Sequence, residues 1–238
     1  MSGELHIDLE TVIPDVLELP LKIEAPMHIS SVALIRDEEG ANSFSILPPE
    51  AVHTLVEQNI QVYMQHGFGS SAQYTDMEYA NAGVIFEDDF RQLTTLCKIL
   101  IKQRPFSQEQ LEMLKEGQII FTSLDMQKMK ETEITLHLQK KVSAFGWNLI
   151  HGDRQEPLCD AIIAQQVSNL GISLSLSDLL LPILTDLIIH PKIRYALQKN
   201  PALMQCIYCY DGTVCHEPLA ARFHLPWRDI ISLCWELN

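Results

Sequence analysis

Short, almost wholly apolar runs recur through the first 150 residues, and helix-length amphipathic segments separate them. Val32 to Ile35, Lys98 to Lys102 and Gln118 to Leu124 have no polar face along their middle residues. A strand of that kind must be covered on both sides, which is the condition of a parallel strand between two helical layers. Further strands are expected at Gln61 to Gln65, Val84 to Phe86 and Val142 to Phe145.

The intervening helices carry their own start signals. Pro48-Pro49 opens Pro49 to Gln58, with Glu50 in its first turn. Thr75 with Glu78, and Ser107 with Gln110, are capping boxes for Asp76 to Ala82 and Gln108 to Lys115. Asp88 to Leu96 and Gln127 to Lys140 complete the set. A β-α unit repeated about five times with short connections predicts an α/β fold: an open parallel sheet with helices on both faces. Ligands in such sheets sit at the carboxyl ends of the strands. That rule singles out Arg36 to Ser45, His66 to Ser71, Lys102 to Pro105 and Ser123 to Lys128.

The pattern changes after Gly146. Helices are expected at Pro157 to Asn169, from Ser177 as a cap through Pro182, at Pro191 to Gln198, at Pro218 to Phe223 and at Trp227 to Leu237, with a turn at Asp211-Gly212. Three parts follow: an N-terminal arm over residues 1–29, the α/β unit over 30–150, and a helical segment over 151–238 that packs back on the same domain. Val12, Ile13, Val16, Leu17 and Leu19 make the arm a candidate contact with another subunit.

The net charge of −14 opposes binding to nucleic acid or to anionic membrane surfaces. The longest apolar run, Leu179 to Ile189, contains Pro182 and Asp186 and falls short of the roughly 20 residues a membrane helix needs. Met1 to Glu10 is acidic and does not read as a signal peptide. The expectation is a cytoplasmic protein with six reduced cysteines.

Two motifs invite other chemistry. Cys206-x2-Cys209 with Cys215, His216 and His224 resembles a zinc set, but adjacent Cys215 and His216 rarely share one ion. Gly67-Phe68-Gly69-Ser70-Ser71 resembles a phosphate cradle, but lacks the lysine of a P-loop and the glycine spacing of a dinucleotide turn. No metal is expected. His66 is expected at the polar rim, and Met126 and Met129 as core filling.

A family resemblance adds to this reading. Leu47-Pro48-Pro49-Glu50-Ala51-Val52, Gly67-Phe68-Gly69, Tyr79-Ala80-Asn81-Ala82-Gly83, Lys98 to Pro105, and Lys115 to Thr122 occur in one order. Together they resemble the N-terminal domain shared by alanine dehydrogenases and the soluble subunit of proton-translocating nicotinamide nucleotide transhydrogenase. The tail resembles the end of the alanine dehydrogenase chain, through Leu180-Leu181-Pro182, Asn200-Pro201-Ala202-Leu203, Tyr210 to His216 and Leu225-Pro226-Trp227. The resemblance implies a flavodoxin-like substrate domain, with Ile150 to Ser177 in place of the nucleotide-binding domain.

The same resemblance implies three departures at the chemical centre. Phe44, beside Ser43, stands where the family has a carboxylate-binding arginine. Gln103 stands where it has a substrate lysine, flanked by Lys102 and Arg104, which point to the other face. A one-residue slip would place Lys102 there instead. Asp125 stands where it has an acid-base histidine, and Leu158-Cys159-Asp160 is a weak remnant of a Met-Ser-Glu segment.

The expectation is therefore a non-catalytic relative with no bound cofactor, forming a homo-oligomer and binding a protein partner or a small amino or keto acid. Arg36, Phe44, His66, Lys102, Gln103 and Asp125 are its pocket candidates. The alternative is the substrate half of a split NAD-dependent alanine dehydrogenase. A sensor would use Arg36, Lys102 or Arg104 as its carboxylate clamp.

Overall fold

A computed structural model describes residues 31–37, 44–152, 156–166, 168–190 and 192–235. The expected N-terminal arm and Ser43 lie outside the described residues. Six parallel strands form the larger part of an eight-stranded sheet: β1 (Ser31–Ile35), β2 (Gln61–Met64), β3 (Ile85–Phe86), β4 (Ile99–Lys102), β5 (Ile119–Thr122) and β6 (Ser143–Gly146). The α/β class and the expected strands are found, each within two residues of its expected start and end.

The parallel strands lie in the order β3-β2-β1-β4-β5-β6. This is the doubly wound order, one strand longer on the β2 side than the flavodoxin order. The chain leaves β1 toward β2, then crosses back from β3 to β4. The crevice where the winding reverses thus opens between β1 and β4.

Helices cover both faces. Under one face pack α1 (Pro49–Glu57), α2 (Asp76–Asn81) and, from the C-terminal part, α6 (Leu158–Gln165), α7 (Asn169–Ile189), α8 (Ile193–Lys199), α9 (Pro201–Cys206) and α11 (Ile230–Trp235). Under the other pack α3 (Phe90–Leu96), α4 (Gln108–Met113), α5 (Glu131–Gln139) and α10 (Glu217–Phe223). Strand alternation divides the two cores. Val32, Leu34, Ile99, Ile101 and Phe121 face α1 and α7, while Ala33, Ile35, Leu100 and Ile120 face α3, α4 and α5. Both capping boxes form. Thr75 Oγ1 accepts from Glu78 N at 3.3 Å, and Glu78 Oε2 accepts from Thr75 N at 2.7 Å.

The C-terminal segment departs from the expectation in three places. It is not only helical: β7 (Ile207–Tyr210) and β8 (Thr213–Val214) join the same sheet, antiparallel to β6 and to each other. Asp211 and Gly212 both have positive φ, 45° and 78°, the two-residue turn whose twist suits a hairpin. The Asp-Gly pair between Tyr-Cys-Tyr and Thr-Val was the available signal.

Second, the long helix starts at Asn169, not after Ser177. Ser168 accepts from Gly171 N at 3.1 Å as the cap, and Ser177 is buried inside the helix. Burial of Ile172 and Leu176 beside Leu180, Ile183 and Leu184 outweighs the local cap signal of a later serine. Third, α7 runs through Pro182 as expected but, with its earlier start, reaches 21 residues, longer than the apolar run the sequence offered. By length and composition it is apolar enough to cross a membrane, with 50% of its apolar window buried inside the protein.

Candidate functional site

The strand ends at the reversal point are drawn together by polar bonds. Asp37, after β1, accepts from the backbone N of Arg104, after β4, at 3.1 Å. Arg36 donates through its backbone N to Gln65 Oε1 at 3.0 Å and through Nη1 to the His66 carbonyl at 3.3 Å. His66 stacks on Phe86 with ring centroids 4.3 Å apart, and its Nδ1 lies 2.8 Å from Asp88 Oδ2. Hydrogen bonds from the backbone and side chain of His66 hold the Asp88 carboxyl below its usual pKa. Arg36, His66 and Asp88 thus form one exposed polar edge over β1, β2 and β3.

The other expected site residues go elsewhere. Phe44 is buried in the core with Ile46 and Leu47. Lys102 and Gln103 are both buried and separate by strand alternation. Lys102 turns to the α4 side, where Nζ donates to Gln110 Oε1 at 2.9 Å and lies 5.7 Å from the Phe106 ring centre. Gln110 is the same residue that caps α4, so this lysine anchors a helix start. Gln103 takes a hydrogen bond from Trp147 Nε1 on its carbonyl at 3.0 Å. Its Nε2 is buried with no hydrogen-bond partner among the described residues. The six expected residues do not converge on one point.

One of them, Asp125, lines a cavity of about 520 Å³ at the carboxyl ends of β4 and β5. Arg104, Asp125, Lys128 and Glu133 line it, and Phe106, Leu111, Ile120, Leu124 and Met129 give it apolar walls. Lys128 Nζ lies 3.1 Å from Asp125 Oδ2. Burial works to raise the Asp125 pKa, and the hydrogen bonds and charge of Lys128 outweigh it, so the carboxyl stays below its ordinary value. Thr122 Oγ1 donates to the Arg104 carbonyl at 2.6 Å and ties the β4 and β5 ends together.

Two further lining residues, His137 of α5 and Tyr208 of β7, are buried. Nothing in the local pattern marked either one. His137 reads as one position of a helix face, and Tyr208 sits in the segment examined for zinc. Their meeting depends on β7 joining the sheet.

The two alternative motifs are explained by packing. Among the described residues, no group of three or more His, Cys, Asp or Glu is placed to hold a metal ion. The amides of the glycine turn already have partners, since Gly67 N donates to Asp76 Oδ1 at 2.7 Å, Phe68 N to the Gln65 carbonyl at 3.3 Å and Ser70 N to the Gly67 carbonyl at 3.1 Å, and a Cβ on Gly69 would lie 2.5 Å from Tyr79 Cε2. The turn is shaped for that buried ring. With its amides so engaged, it does not fit the pyrophosphate of a nicotinamide nucleotide.

The family described as Alanine dehydrogenase/PNT, N-terminal domain matches residues 36–164, more than half of the 238-residue chain. An alanine dehydrogenase of Methanococcus maripaludis is 28% identical over 113 residues, which are 47% of this chain and 30% of that protein. The chain therefore spans under a third of the length of this curated relative. Among solved structures, an L-alanine dehydrogenase has a TM-score of 0.47 at 16% identity, covering 54% of this chain and 35% of that one. A transhydrogenase from Sinorhizobium meliloti has a TM-score of 0.47 at 16% identity, covering 56% and 38%. With the match running over more than half of the chain and including β2 to β6, the chain belongs to the alanine dehydrogenase/PNT N-terminal domain family.

Proposed function

We propose that this domain binds an amino acid in the cavity at the carboxyl ends of β4 and β5 and does not itself carry out dehydrogenation. The supporting observation is the mixed charge of the lining. Two cations, Arg104 and Lys128, and two carboxylates, Asp125 and Glu133, surround apolar walls. A zwitterion suits such a lining better than a simple keto-acid anion, because both of its charges find partners.

The non-catalytic reading rests on where the positions implied by the resemblance have gone. Phe44 packs in the core, Lys102 anchors α4, and Asp125 is bonded to Lys128. Phe44 and Lys102 do not line the cavity to clamp a carboxylate, and Asp125, kept ionised by Lys128, holds no proton to give as the family's histidine would. A thermal-shift screen of amino and keto acids tests the reading. Amino acids raise the melting temperature and keto acids do not, since a ligand bound only by the native state stabilises it. Absence of any shift, confirmed by calorimetry, refutes it.

A further inference from the structure

The floor of the cavity is a pair of buried rings whose protons can be placed. Tyr208 Oη lies 3.3 Å from His137 Nε2, and His137 Nδ1 lies 2.6 Å from the Glu133 carbonyl one turn earlier in α5. A carbonyl oxygen only accepts, so Nδ1 carries the imidazole proton. Burial lowers the His137 pKa and keeps the ring neutral, which leaves Nε2 as a lone pair. Burial also raises the Tyr208 pKa well above normal, so the phenol keeps its proton. The Tyr208 hydroxyl therefore donates to Nε2. Its single hydrogen is used, and its oxygen has only lone pairs left for anything that enters the cavity.

The sheet register sets how deep this acceptor lies. Ile120 pairs with Ala144 and Phe121 with Phe145, while Ala144 pairs with Cys209 and Phe145 with Ile207. Tyr208 is thus level with Ile120 and Phe121. Thr122 lies about 7 Å further along β5, at two residues of strand rise, and the Asp125–Lys128 pair lies beyond it. Arg104 and the Asp125–Lys128 pair are at the mouth, Glu133 lies on α5 one turn before His137, the acceptor is at the bottom, and Phe106, Leu111, Leu124 and Met129 are the apolar walls.

We infer that the cavity takes an amino acid of the tyrosine type, with its ammonium and carboxylate at the mouth and its phenol donating to Tyr208 Oη. The inference rests on the amino-acid reading of this cavity. Each part of the ligand follows from one part of the site. An apolar ring matches the walls. A serine-type side chain is too short to reach Tyr208. A phenylalanine-type ring leaves the deep acceptor without a hydrogen, and sites built around a ligand hydroxyl discriminate strongly against analogues that lack it.

Isothermal titration calorimetry of the full chain with L-tyrosine, L-phenylalanine and O-methyl-L-tyrosine tests this. Tyrosine is expected to bind roughly tenfold or more tightly than either analogue. In Tyr208→Phe the ratio of tyrosine to phenylalanine falls to within about twofold. The O-methyl ligand keeps the ring and removes only the donor, so the wild-type comparison stands even if the variant does not fold. Equal binding of all three by the wild type overturns the phenol assignment and leaves the amino-acid site standing. A tyrosine preference that survives in folded Tyr208→Phe also overturns it. Failure of these three, and of alanine and leucine, to bind at all removes both the assignment and the reading beneath it.

Discussion

A Cβ on Gly69 would stand 2.5 Å from Cε2 of Tyr79, a ring with no exposed surface. Tyr79 in turn donates its hydroxyl to the Leu47 carbonyl at 2.9 Å, so the ring fastens the turn after β2 to the entry of α1. Gly69→Ala would force this ring off its place and is expected to destabilise the protein by about 1–3 kcal/mol. Urea unfolding measures it, and an unchanged midpoint would show that the ring can yield.

Tyr79→Phe tests the other end of the same fastening. The Leu47 carbonyl loses its hydroxyl partner in a buried setting, at an expected cost of about 1–3 kcal/mol. The change should leave tyrosine binding in the cavity unaltered, because Tyr79 lies in the core on the opposite face of the sheet.

Stability should fall on mild acidification through His137. Its folded pKa lies below the unfolded value of 6.5 because burial disfavours the imidazolium. Above that value both states are neutral and the full stability is present. As the pH drops through 6.5 toward the folded pKa, the unfolded chain takes up the proton first, and stability is lost at up to about 1.4 kcal/mol per pH unit. His216 is shifted the same way, by burial and then by His151. Asp88 and Asp186, with lowered pKa values, contribute only at more acid pH, near and below about 4. Urea midpoints at pH 7.5 and 5.5 should therefore converge partly in His137→Gln and further in the double variant with His216→Gln.

The thiols should be inert in the native state. Burial pushes Cys97 up to about 11 and Cys159 up to about 12, and raises Cys206 and Cys209 well above the ordinary range. All six cysteines are unpaired. At pH 8, iodoacetamide is expected to spare these four in the folded protein and to modify all six in urea. Mass spectrometry counts the adducts, and rapid native labelling of Cys159 or Cys206 would contradict the packing around α6 and α9.

Narrowing the cavity should separate binding from folding. Met129 is partly buried on the cavity lining. Met129→Trp is expected to weaken amino-acid binding more than tenfold while changing stability by less than about 1 kcal/mol. A variant that binds as the wild type does would place the ligand elsewhere.

The sheet was legible because β1, β4 and β5 are buried along nearly their whole length, which favours apolar residues through their middles. The capping boxes at Thr75 and Ser107 were legible because both partners sit three residues apart in the chain. The start of α7 was not. Ser168, Ser173, Ser175 and Ser177 are four candidate caps within ten residues, and burial of the apolar face from Ile172 onward selects the first. The hairpin of β7 and β8 was not legible beyond its Asp-Gly turn, because Ile207 to Tyr210 is only four residues long and follows a helix directly.

At the site, local patterns placed Arg36, Lys102, Gln103 and Asp125 at strand ends, because the strands and their direction follow from hydrophobic periodicity and short connections. Which way each side chain turned depended on neighbours. Lys102 follows the cap of α4, and Asp125 follows Lys128. His137 and Tyr208 are 71 residues apart, and no spacing rule relates them. Secondary structure and strand direction are products of short-range sterics and periodic burial, so they are written along the chain. A cavity is made by elements that meet only when the last antiparallel strands close onto β6, and long-range packing alone settles what lines it.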